Sequence, residues 1–96
     1  MNKFMFLHVG FKTPTQEIMN DWMKWFESIS DKTADSGFGF GAAREITRSG
    51  SKELPLGLDS MTGYTIINAE NLDEAEKIAK TCPIITGIRV YEAMSH

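Results

Sequence analysis

Cysteine is almost missing. Cys82 stands alone in a chain of 96 residues, so no disulfide can form within it, and a lone thiol fits a reducing, cytoplasmic setting. Histidine is nearly as scarce, with only His8 and His96. These three side chains are too few to build a tetrahedral zinc centre of nitrogen and sulfur ligands, and no cofactor is expected. Basic charge is also in deficit. Ten Lys and Arg stand against 13 Asp and Glu, a formal net charge of −3, and the charges are scattered along the chain. That argues against the basic patch that nucleic-acid binding needs, and against a polybasic membrane surface. Long apolar runs are absent too. The opening Phe4-Met5-Phe6-Leu7 is broken by His8, too short for a signal-peptide core or a membrane span. There is no low-complexity tract, charge block or Pro-rich linker.

What remains is a small globular chain, 42% apolar, read as one domain over residues 1–96. Residues 3–9 read as a strand. Phe4, Phe6 and His8 point to one side and Met5, Leu7 and Val9 to the other. A half-covered strand alternates apolar with polar; this one is greasy on both sides. Gly10 ends it. Thr13-Pro14-Thr15-Gln16 predicts a helix start, with Thr13 as N-cap, Pro14 in the first turn and Gln16 completing a capping box. Ile18, Trp22, Trp25, Phe26 and Ile29 follow at helical spacing, and the helix is expected over about 14–33. The two Trp differ by three positions, which puts one toward the edge of the stripe. Residues 41–48 are expected as a strand, Ser49-Gly50-Ser51 as a turn, and 52–62 as irregular chain. Tyr64 to Ala69 is β-branched and aromatic and reads as a strand. Asn71 caps a second helix, with Glu74 as its box partner and Leu72, Ala75, Ile78 and Ala79 as its apolar stripe. Pro83 stops it, and a last strand falls near 87–93.

Strand, helix, strand, strand, helix, strand is the split βαβ order of ferredoxin-like folds. Two helices cover one face of such a sheet. Yet Phe6 and Leu7, Ile66 and Ile67, and Val90 and Tyr91 put apolar groups on both. The expectation is therefore an α+β, ferredoxin-like βαββαβ sandwich whose open face is covered by a second copy around a two-fold axis.

The chain resembles the YCII-related family, and within it the DGPF-type branch, over nearly its whole length. The resemblance lies in Lys3-Phe4-Met5-Phe6-Leu7, in Asp21-Trp22-Met23-Lys24-Trp25-Phe26, in Gly63 through Ala75, and in Ala79 through Pro83. It implies a homodimeric α/β barrel built from two ferredoxin-like halves. Two departures matter. The Asp-Gly-Pro-Phe segment is replaced by Leu54-Pro55-Leu56-Gly57-Leu58-Asp59. Where some relatives carry the His of a proposed His–Asp pair, this sequence holds Trp22, so that pair is not carried over.

Two functional readings follow. In the first, the protein binds a small organic molecule without robust catalysis. In the second, it is an enzyme acting by proton transfer on a small organic substrate. His8 is then the acid/base, its free pKa suiting such work, with Asp59 as its partner and Arg44 or Tyr64 orienting the substrate. Each residue also has a plain structural reading. His8 is then a hydrogen-bonded core residue, Asp59 a turn residue, Arg44 a strand residue either solvated or ion-paired with nearby Glu45, and Tyr64 a dimer-core aromatic. Gly37-Phe38-Gly39-Phe40-Gly41-Ala42 nominally fits a dinucleotide fingerprint. That motif needs a strand before it and a helix after it, the reverse of the order here. Its glycines instead relieve crowding against a helix or against a ligand. Cys82 follows the second helix, where the dipole opposes a thiolate, and is read as a packing residue.

Overall fold

The two-sided apolar strand becomes the middle of the molecule. In the computed structural model, which describes residues 2–94, β1 (Asn2–Val9) lies between β5 (Met61–Ala69) and β6 (Gly87–Glu92). The sheet order is β2-β5-β1-β6, with β2 spanning Thr33–Asp35, and its pairings are antiparallel. Helices α1 (Gln16–Ser28) and α2 (Leu72–Ala79) cover one face. This is an α+β arrangement compatible with a ferredoxin-like fold. Strands β3 (Ala43–Thr47) and β4 (Gly50–Leu54) form a separate two-stranded hairpin.

Register sets which side chains meet. Phe4 lies opposite Ile67, and Phe6 lies between Thr65 and Val90. These residues share the helix side with Trp25, Ile29, Ala75, Ile78 and Ala79, and together they form the core. Trp25 stacks on Phe6 with ring centroids 6.4 Å apart. Its indole N–H donates to the Thr81 hydroxyl at 2.9 Å, so the largest buried ring has its polar atom satisfied. Trp22 is only half buried, at the edge of the stripe as its spacing implies. Asn71 caps α2 by accepting from the Glu74 N–H at 2.9 Å.

Four expectations are corrected. The cap of α1 is Thr15, whose hydroxyl accepts from the Ile18 N–H at 3.1 Å; Thr13 and Pro14 lie outside the helix. The helix ends at Ser28 rather than near residue 33. Its exit is held by the Thr33 hydroxyl on the Ile29 carbonyl and by the Asn68 N–H on the Lys32 carbonyl. The sheet thereby takes Thr33–Asp35 as its second strand. The chain over 43–54 is consequently not a sheet strand followed by irregular chain but the hairpin, and Leu72 is mostly exposed rather than packed in the α2 stripe.

The hairpin residues are all exposed, Ile46 at 79%. The hairpin lengthens the molecule: the radius of gyration is 14.4 Å, against roughly 12.5 Å for a compact chain of this length. On the uncovered side of the sheet, Met5, Leu7, Tyr64 and Ile66 are half-buried and Tyr91 is exposed. No helix among the described residues is long and apolar enough to cross a membrane. His96 lies outside the described residues.

Candidate functional site

His8 is on the helix side of β1 and only 8% exposed. Its Nε2 lies 3.0 Å from the Thr65 hydroxyl and its Nδ1 3.9 Å from the Cys82 sulfur. Thr65 in turn reaches the Ser36 carbonyl. The rings of Trp22 and Trp25 stand perpendicular to the imidazole, with centroids 5.0 and 5.8 Å away. Burial lowers the imidazole pKa from 6.5 to about 4 and pushes the thiol up to about 12. Near pH 7 both groups are neutral, so they form no thiolate–imidazolium pair. The void beside His8 measures about 10 Å³, room for one water at most. His8 is thus hydrogen-bonded within the core, with little open space at the ring.

The proposed companions of His8 do not converge on it. Tyr64 projects from the opposite face of the sheet, since it alternates with Thr65 along β5. Its hydroxyl donates to Asp35 Oδ2 at 3.3 Å, while Asp35 Oδ1 accepts from the Gly37 N–H at 2.8 Å. Partial desolvation, then the Asp35 charge and that hydrogen bond, raises the phenol pKa. Arg44 lies on the exposed hairpin opposite Glu53 and makes no ion pair among the described residues. Glu45, expected to serve Arg44, pairs with Lys52 at 3.3 Å instead. The His8–Asp59 pair is likewise not made: the ring nitrogens of His8 face Thr65 and Cys82.

Asp59 belongs to a different place. The glycine–phenylalanine segment runs alongside β5, and its spacing has a physical reason. Gly37 has φ +72°, and a Cβ there would collide with the Tyr64 carbonyl. Gly39 bridges to Gly63, backbone to backbone. This contact sets Phe38 and Phe40 both against Tyr64, with ring centroids 5.2 and 6.0 Å from it. Past Gly41 the chain turns into the hairpin and returns through Leu54 to a loop that closes on itself. In that loop the Gly57 N–H donates to the Ser60 hydroxyl at 2.8 Å, and the hydroxyl donates to the Pro55 carbonyl at 2.9 Å. The Phe11 and Gly10 N–H groups donate to the carbonyls of Gly57 and Ser60, holding the loop against the end of β1.

Between these two stretches lies a cavity of about 630 Å³ lined by Phe38, Phe40, Leu54, Leu56, Met61 and Asp59, with Gly39 and Gly41 in its wall. That volume falls within the range of small-molecule sites. Among the described residues lining it, Asp59 is the one that carries a charge. Arg44 and Glu53 sit one position away from Ala43 and Leu54, so strand alternation turns them to the other face of the hairpin. Sequence reading named Asp59 and suspected the glycines of close approach. It missed Leu54, Leu56 and Met61, whose only signal was an apolar run inside a stretch read as irregular.

Comparison with known proteins adds nothing to this geometry: no family model matches the chain, and no curated protein sequence is significantly similar to it.

Proposed function

We propose that the protein is a homodimeric, YCII-like α/β barrel of the cytoplasm that binds a small organic molecule without robust catalysis. The observation that carries the binding reading is the cavity between the Phe38–Ala43 segment and the Leu54–Met61 loop. It is mostly apolar, with few polar groups, as ligand sites are. The His8 imidazole lies on the other side of the sheet, packed among tryptophans. Dimerisation is supported by the uncovered sheet face, where Met5, Leu7 and Ile66 stand in adjoining register with Tyr91. A lone domain seldom leaves such a face in water, and a two-fold axis lets one patch cover its own copy. The resemblance carried by the first strand and the Gly63–Ala75 block points the same way.

Sedimentation equilibrium tests the assembly. The wild type should be dimeric, and Ile66→Asp should shift it toward monomer while far-UV circular dichroism is unchanged. A monomeric wild type, or a dimer indifferent to Ile66→Asp, would refute it. A thermal-shift screen of small organic compounds tests the binding reading, and a screen without a single stabilising compound would count against it.

A further inference from the structure

We infer that the cavity beside Asp59 takes a hydrophobic cation: a compact apolar body carrying one positively charged nitrogen. This rests on the small-molecule reading above and gives the ligand a charge. Three features of the wall support it. Phe38 and Phe40 line the space, and aromatic rings attract cations through their negative faces. Asp59 is the charged lining residue, and it makes no hydrogen bond or ion pair with any described residue. The hydroxyl of Ser60, beside it, is already used in closing the loop.

The alternatives fit worse. An anionic ligand needs a donor of positive charge, and the wall holds no Lys or Arg among the described residues. Arg44 is turned to the far face of the hairpin, and Lys52 is held by Glu45. A neutral apolar ligand satisfies the rings and leucines but draws no attraction from the exposed Asp59 carboxylate at the rim. An ammonium group satisfies both sides of the wall at once.

Three probes of one shape and different charge decide it: benzyltrimethylammonium, its neutral carbon counterpart neopentylbenzene, and the anion benzylsulfonate. Affinity is read by ligand-observed NMR on the full chain. The cation should bind about fivefold tighter than the neutral probe, the scale of a partly exposed ion pair with aromatic help, and the anion weakest. Asp59→Asn should erase the preference while the neutral probe binds as before. Gly41→Leu should abolish binding of all three. Gly41 lines the cavity and a Cβ there meets nothing within 4 Å, so a leucine takes up space at the wall without a clash, which an unchanged melting temperature checks. Equal binding of cation and neutral probe, or a preference that survives Asp59→Asn, overturns the charge assignment and leaves the cavity standing. No binding by any probe, or binding indifferent to Gly41→Leu, overturns both.

Discussion

Acid should unfold this protein partly through one residue, and a substitution isolates it. The His8 pKa falls from 6.5 to about 4 on folding because burial disfavours the charged ring. The unfolded chain therefore binds this proton more readily than the folded one. The stability that neutral His8 contributes is complete above about pH 6.5, declines as the pH falls below it, and levels off below about 4. One proton corresponds to about 1.4 kcal/mol per pH unit, so across that window the loss approaches about 3 kcal/mol, a large share of what a domain of this size has. Cys82, the titratable neighbour of the ring, stays protonated throughout because its thiol is pushed up to about 12. Carboxylates add their own acid effects below about pH 5, so the informative quantity is the difference between wild type and His8→Gln. Urea unfolding at fixed protein concentration, from pH 7.5 to 4, gives both curves. The wild type should lose stability faster than the variant, and the gap should open between pH 6.5 and 5. Parallel curves would show that the ring is not desolvated, and the packing described for it would be wrong.

Three further outcomes follow from the packing. Val90→Asp should destabilise the protomer by about 3 kcal/mol in urea unfolding, because Val90 packs on the helix-side core beside Phe6; Ile66→Asp, on the open face, should act mainly on assembly. Gly37→Ala should lower stability by at least about 2 kcal/mol, since the residue has φ +72° and sits against the Tyr64 carbonyl; an unchanged melting temperature would contradict that contact. Asn71→Ala should remove about 1 kcal/mol by freeing the Glu74 N–H, readable as a drop in denaturant midpoint.

The sheet's three long strands and both helices were legible because their patterns are long and their caps chemical. Asn71 is an example: its side chain sits three residues before an N–H that needs it. The second sheet strand was not legible, because Thr33–Asp35 has only three residues and cannot display a period of two. The hairpin imitated a sheet strand in its place, since alternation in sequence says nothing about whether a core lies underneath. The helix cap was misplaced because Thr13 and Thr15 flank Pro14 with equal chemistry, and it is Thr15 whose hydroxyl takes the Ile18 N–H. For the site, Asp59 and the glycines were visible as residue types. The cavity was not, because its walls are separated in sequence and are brought together by the pairing of Ala43 with Leu54 and the bridge of Gly39 to Gly63. The His8–Asp59 pairing failed for the same reason: two polar residues near strand ends gave no clue that one faces the helices and the other a loop.

The two tryptophans, Trp22 and Trp25, both belong to the helical layer, whereas the two tyrosines, Tyr64 and Tyr91, both project from the other side of the sheet. The protein thus carries two optical channels, one per side, without any label. Docking of another copy, or a guest arriving near Phe38 and Phe40, should disturb tyrosine emission and leave tryptophan emission in place. Global unfolding should move both together.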